Sequence, residues 1–257
     1  MRPHVPRGLQ EVVRGYRWRK ITIGESGAET FKLTAPQHPP LILKYTTGDQ
    51  GIDLQDEARR VAWFGRWAPA PEVQAVAAEG GAQWLVMTAL PGVNALQSTL
   101  SPRIKVSLVA QALSALHARR VKTCPFDESL DHKIARAREN VANGLVDESA
   151  FDDANIGRSA ASLLRTLLRT RPSTEDRVVT HGDACFPNFM IDDGAFAGFV
   201  DCARVGMADR YQDLALACRS IEYNLGEEWI GPFLHAYGLQ QVDRRRLVFY
   251  RLLDEFF

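Results

Sequence analysis

Apolar positions along the chain change their period near residue 90. Before it, ITI (21–23), ETFKLT (29–34) and PLILKYT (40–46) are short β-rich runs separated by Gly, Pro and Ser, and they predict strands. IDLQDEARRVAWFGRW then places Leu54, Ala58, Val61, Ala62 and Gly65 on one helical face. The following APAPEV stops that helix and forces extended chain. VQAVA and AQWLVMTA predict a hairpin turning at Glu79-Gly80-Gly81. Past Pro91-Gly92 the pattern becomes helical. Ser101-Pro102 reads as an N-cap and first-turn pair, followed by Ile104, Leu108, Val109, Ala112 and Leu116 at helical spacing. Further helices are predicted over 131–145, 157–170, 208–225, 227–237 and 243–257, with short strands at VVTHGD and AFAGFV set among them. The pattern therefore predicts an α+β chain. A small β-rich lobe covers 1–90 and a larger, mainly helical lobe covers 91–257, with no repeat or long linker.

Chemistry concentrates in VVTHGDACFPNFMIDDGAFAGFVDCARVGMADR (178–210). Pro187-Asn188-Phe189-Met190-Ile191 leads into a strand, Asp192-Asp193-Gly194 makes a tight turn, and AFAGFV runs back beside it. That hairpin brings Asp201 towards Asn188. A carboxylate and an amide oxygen converging in this way suit Mg²⁺, which takes oxygen ligands and relies on few protein groups plus substrate phosphates. Asp183 stands ahead of the pair, placed to accept a hydrogen bond from a nucleophile. Taken singly, HGD is a common loop tripeptide and Asp-Asp-Gly an ordinary turn; the three groups at these spacings carry the inference.

Composition narrows the partners. Lys+Arg and Asp+Glu both number 31, and this neutral balance gives no support for a nucleic-acid partner. Cys124, Cys185, Cys202 and Cys218 show no zinc or redox spacing and read as buried free thiols of a reducing compartment. The N-terminus has no apolar signal core, and no run approaches the ~20 apolar residues that span a bilayer. A cytoplasmic protein without a membrane partner is expected, as a monomer or weak dimer.

HGDACFPN followed by GFVDCARVGMADRYQDLALA, with the C-terminal YRLLDEFF, resembles the aminoglycoside 3′-phosphotransferases, and weaker similarity runs across nearly the whole chain. The resemblance implies a two-lobed protein-kinase-like fold: an N-terminal nucleotide-binding lobe and a C-terminal catalytic and aminoglycoside-binding lobe. It implies ATP-dependent phosphorylation of a drug 3′-hydroxyl, conferring resistance, with Mg²⁺ as cofactor. Asp183 matches the catalytic Asp, and Asn188 and Asp201 match the metal ligands. Phosphoryl transfer is mostly positioning and charge neutralisation, so Asp183 is expected to orient the hydroxyl more than to deprotonate it early. Lys44, at the end of the apolar LIL, matches the phosphate-facing strand lysine, and Glu57 its helix partner. Ser26, Gly27 and Ala28 match the family's short nucleotide loop, and MTALPG its interlobe hinge, so backbone groups of Thr88 and Leu90 are expected at adenine. Ile42 stands where some relatives carry an aromatic against adenine, which leaves GTP open beside ATP.

Gly182 occupies the place where phosphorylation-regulated protein kinases carry an arginine, and constitutive activity is expected. His181 is expected to pack structurally behind the loop. An aminoglycoside is a polycation, so its pocket should be lined by carboxylates and carbonyls. Asp152, Asp153, Asp254 and Glu255 are the candidates, with the terminal carboxylate of Phe257 matching a family drug contact and Arg204 matching an arginine that shapes the acceptor site. Two departures stand out: Ala203 replaces the usual glycine after the metal Asp, and Glu222-Tyr223-Asn224 only partly supplies the acidic residues expected near the end of the 208–225 helix.

Overall fold

A computed structural model of the chain describes residues 2–22, 27–48, 52–121 and 123–257. In chain order its elements are helix α1 (Arg7–Gln10), strands β1 (Arg17–Ile21), β2 (Glu29–Ala35) and β3 (His38–Thr46), helix α2 (Leu54–Phe64), strands β4 (Val73–Glu79), β5 (Ala82–Thr88) and β6 (Val93–Asn94), helices α3 (Pro102–His117), α4 (Leu130–Ala142) and α5 (Ala160–Thr170), strands β7 (Arg177–Thr180), β8 (Phe189–Asp192), β9 (Ala195–Phe199) and β10 (Gly206–Asp209), and helices α6 (Tyr211–Leu225), α7 (Ile230–Tyr237) and α8 (Arg244–Asp254). They gather into two units, Met1–Ser98 with Pro187–Arg204, and Thr99–Phe186 with Val205–Phe257.

The first unit is built on a five-stranded antiparallel sheet of order β1-β2-β3-β5-β4. Alternation along its strands turns Phe31, Leu33, Leu41, Leu43, Trp84 and Val86 to one buried face, which Leu9 and Val13 complete. The first strand lies at Arg17–Ile21, earlier than the expected ITI, whose Ile23 falls outside the described residues. Its run RWRKI is charged because it is a sheet edge, with Trp18 packed on Phe31, so the apolar cue was absent. Helix α2 starts at Asp53, whose carboxylate accepts the Gln55 and Asp56 N–H groups, and it buries Leu54, Glu57, Ala58, Val61 and Phe64.

Pro187–Arg204 packs with this unit for two reasons. The β8–β9 hairpin pairs with β6, and Phe199 lies edge-on to Phe64 at 5.6 Å while its N–H donates to Pro69 O at 2.9 Å. The division thus differs from a break at residue 90. Gly92 lets β6 approach β8: its φ is +79°, and a Cβ there would stand 2.0 Å from Ile191 O.

In the second unit α3 packs on α7, and α6 and α5 pack on α8. Helix α6 is buried from Tyr211 through Cys218, as a central helix must be. Ser101 and Pro102 start α3 as expected, although the Ser101 hydroxyl makes no cap bond. Strand β7 pairs antiparallel with β10 and delivers the chain to His181. Among the described residues no helix is long and apolar enough to cross a membrane.

Candidate active site

Lys44 sits on the central strand β3, flanked by β2 and β5, and is 7% exposed. Its Nζ donates to Glu57 Oε1 at 2.6 Å and to Asp201 Oδ1 at 2.8 Å. Burial works against its ammonium, but the Asp201 and Glu57 carboxylates outweigh it and raise the Lys44 pKa. Burial also pushes the Glu57 carboxyl up, opposed by Lys44 and reinforced by the Asp201 charge. Lys44 therefore stays charged, fixed from two sides.

Asp201 occupies the left-handed region with φ +59°, a conformation that costs a non-glycine residue energy and is tolerated where the surroundings over-determine it. The hairpin supplies that constraint: the Val200 N–H donates to Asn188 O at 3.0 Å, so Asn188 and Asp201 leave adjacent strand ends. The Asp201 side chain is 35% exposed, whereas Glu57 is 3% exposed. Asn188 and Asp201 offer oxygen donors only, and among the described residues no cluster of three or more His, Cys, Asp and Glu forms a metal cage. That set fits a Mg²⁺ completed by phosphate oxygens and water.

In the second unit the HGD loop hangs on Asp213, the third residue of α6. Asp213 is fully buried; Oδ2 accepts the His181 N–H at 2.8 Å and Oδ1 the Gly182 N–H at 2.7 Å. His117 Nε2 lies 3.0 Å from Oδ2, His117 Nδ1 lies 2.7 Å from Tyr237 Oη, and Arg210 Nη1 donates to Tyr237 Oη at 3.0 Å. The Nε2–H tautomer of His117 satisfies the whole chain of donors. Burial pushes the Asp213 carboxyl up, but the bonds from His117 and the loop overcome it and hold the group below the usual carboxylate range. His181 is fully buried, and its Nδ1 accepts the Asp183 N–H at 3.3 Å. Gly182 has φ +84°, which lets two successive N–H groups face one carboxylate. Asp183 thus leaves a loop fixed at the residues before it. Burial, and then the Asp183 carboxylate to which it hydrogen-bonds, raise the Cys185 thiol well above its ordinary pKa.

The acceptor candidates fall into two groups. Asp152, Asp254 and Glu255 come together: Arg251 Nε donates to Asp152 Oδ2 at 2.6 Å, Arg219 Nη2 to Asp254 Oδ2 at 2.7 Å, and Asn155 Nδ2 to Glu255 Oε1 at 2.6 Å. The Phe257 ring lies 5.3 Å from Lys133 Nζ and 5.0 Å from the Arg136 guanidinium, and Asn140 Nδ2 donates to Phe256 O at 2.7 Å, so α4 anchors the terminus. Asp153 is exposed, and Arg204 closes the Cys202–Arg204 turn of the first unit.

The nucleotide-side candidates are uneven. Ser26 lies outside the described residues, Gly27 is exposed and Ala28 buried. The Thr88 N–H donates to Glu72 O at 2.9 Å and the Ala89 N–H to Pro40 O at 2.9 Å. Chain pairing thus takes the Thr88 N–H, one of the backbone groups expected at adenine. Leu90 follows the last paired residue.

Asp213, His117, Tyr237, Arg219 and Arg251 escaped the sequence reading. Asp213 and Arg251 lie inside the motifs RYQDLALA and YRLLDEFF, but nothing local pairs Asp213 with a histidine 96 residues away.

A strand lysine kept charged by a helix glutamate and a strained loop aspartate is an arrangement suited to meeting phosphate in a kinase-like phosphotransferase. The chain matches the model of the phosphotransferase enzyme family over residues 17–250, and it belongs to that family. It is 39% identical to an aminoglycoside 3′-phosphotransferase of Streptomyces fradiae, over 94% of this chain and 96% of that protein. A crystal structure of an aminoglycoside-3′-phosphotransferase of type VIII superposes with a TM-score of 0.88 at 35% identity, covering 98% of this chain and 97% of that one. Aminoglycoside phosphotransferase APH(3'')-Id from Streptomyces rimosus, solved with ADP and streptomycin, gives a TM-score of 0.83 at 26% identity, over 96% and 95%. The expected protein-kinase-like fold is borne out.

Proposed function

We propose that the protein transfers the γ-phosphoryl group of ATP to the 3′-hydroxyl of aminoglycosides of the kanamycin and neomycin type, and so confers resistance. The observation that carries the reading is the Lys44 ammonium held 2.6 Å from Glu57 and 2.8 Å from Asp201, charged inside a buried site. Family membership and relatives named for this activity supply the acceptor class.

Lys44 meets phosphate oxygens with a fixed positive charge that needs no reorganisation. Asn188 and Asp201 would hold Mg²⁺, and Mg·ATP, when bound, supplies the phosphoryl group with part of its charge neutralised. Gly27 and Ala28 would close on the phosphates, and the Thr88 carbonyl with Leu90 backbone groups would bind the base. Asp183 accepts the hydrogen bond of the acceptor hydroxyl and aims its oxygen; as that oxygen bonds to phosphorus and ADP departs, the proton passes to the Asp183 carboxylate. Asp152, Asp153, Asp254 and Glu255, with Phe257, would receive the aminoglycoside, and Arg204 would serve the phosphoryl group. The enzyme works in the cytoplasm, constitutively.

ADP release with Mg·ATP and kanamycin, tobramycin or streptomycin tests the reading. Turnover with kanamycin and none with tobramycin, which lacks the 3′-hydroxyl, is the expected pattern. Turnover with streptomycin alone would replace the 3′ acceptor by another ring position, and no turnover with any drug would remove the aminoglycoside.

A further inference from the structure

Two arginines sit among the carboxylates assigned to the acceptor. From α6, Arg219 reaches Asp254 at 2.7 Å and Asp152 at 3.9 Å. From α8, Arg251 reaches Asp152 at 2.6 Å and Glu222 at 2.5 Å. Acid and base alternate along a ladder, Asp254–Arg219–Asp152–Arg251–Glu222. Helical spacing builds it, since Arg219 and Glu222 are three apart on α6, and Arg251 and Asp254 three apart on α8. The ladder runs from enclosed to open, with Asp254 8% exposed, Arg251 38% and Glu222 41%. Its enclosed end adjoins the loop that follows Asp183, because the Phe186 N–H donates to the hydroxyl of Ser220, the residue after Arg219, at 2.9 Å.

We propose that Arg219 and Arg251 are built-in counter-ions that set acceptor specificity: they hold Asp152, Asp254 and Glu222 in register and compete with the acceptor's ammonium groups, so that more highly charged aminoglycosides are held less tightly than the carboxylates alone would hold them. The inference rests on the reading that Asp152 and Asp254 receive those groups. A carboxylate already paired gives an arriving ammonium only part of its field, and each guanidinium left in place repels it. Without the arginines the half-buried acids would repel one another when no acceptor is bound. The arrangement keeps the empty site intact and lowers its preference for raw charge. Arg251 is the specificity-determining position open to test, because it is the more exposed of the two arginines.

The test titrates wild type and Arg251→Gln with kanamycin and with neomycin, which carries more ammonium groups, by calorimetry without nucleotide at low and moderate salt. Removing one guanidinium charge should tighten kanamycin binding about fivefold, tighten neomycin further and steepen the salt dependence. Unchanged or weaker binding by a variant with the wild-type melting temperature overturns the proposal. Should Arg251→Gln fail to fold, Glu222→Gln gives the opposite sign: it leaves Arg251 less neutralised and should weaken neomycin more than kanamycin, and equal binding overturns the proposal. Binding of neither drug by wild type would overturn the functional reading and this inference with it, a result distinct from tight wild-type binding that the variants leave unmoved.

Discussion

Replacing Asp213 by Asn removes one charge from the centre of the second unit while keeping the size of the side chain. The carboxylate accepts three hydrogen bonds, from the N–H groups of His181 and Gly182 and from His117 Nε2. Asn keeps one acceptor oxygen, which best serves the two partners of Oδ2, and turns its NH₂ against the Gly182 N–H. One buried donor is orphaned and two bonds lose their charge assistance, which costs about 2–4 kcal/mol at neutral pH. The sign of the pH dependence follows from the depressed pKa of Asp213. Its stabilisation is complete above the unfolded-state value of about 3.9 and disappears as pH falls through the lower folded-state value, so the gap between wild type and variant should narrow in acid. Displacing Gly182 moves Asp183, and a shift of ~1 Å lowers kcat roughly 10²-fold. Nucleotide affinity should hold, because Lys44 depends on Glu57 and Asp201 of the other unit. Urea unfolding at two pH values, with kcat and nucleotide titration, measures each part. A variant within ~0.5 kcal/mol of wild type with unaltered kcat would remove Asp213 from the positioning of the loop.

Asp183→Ala should abolish transfer while nucleotide titration stays near wild type; wild-type turnover would take Asp183 out of the mechanism. Lys44→Met leaves the Glu57 and Asp201 carboxylates facing each other, with Glu57 3% exposed, and should cost about 3–5 kcal/mol in thermal or urea unfolding as well as nucleotide affinity. A melt equal to wild type would contradict the buried charge balance. Asp201→Ala should raise the Mg²⁺ concentration needed for turnover, and an unchanged Mg²⁺ dependence counts against its ligand role. Deleting Phe257 should raise KM for the drug more than KM for ATP; equal effects would make the terminus a structural anchor of α4.

The strands β2 to β5, the helix α2 and the hairpin at 189–199 were legible because period and turn residues agree there. Strand β1 was displaced because an edge strand carries charges, and β6 was missed because two residues carry no period. Lys44, Glu57 and Asp201 were named from the family resemblance and their order along the chain, and the structure brings the three together. On the proposed acceptor side only part of the charge pattern was read. Asp152, Asp254 and Glu255 were chosen for their charge, yet the same reasoning passed over Arg219 and Arg251, because charge sought as a binding feature hides the charge that balances it. For Thr88, the hinge position named the residue but not the atom, since which backbone N–H a strand end spends depends on its neighbours and not on its own identity.

The most direct measurement is the position of the phosphate in the product. Kanamycin treated with the protein and Mg·ATP should give a monophosphate whose phosphorus couples, in a ¹H–³¹P correlation spectrum, to the proton on the 3′ carbon. Coupling to a proton at any other carbon, or an unmodified drug beside intact ATP, would contradict the assignment of the protein as an aminoglycoside 3′-phosphotransferase.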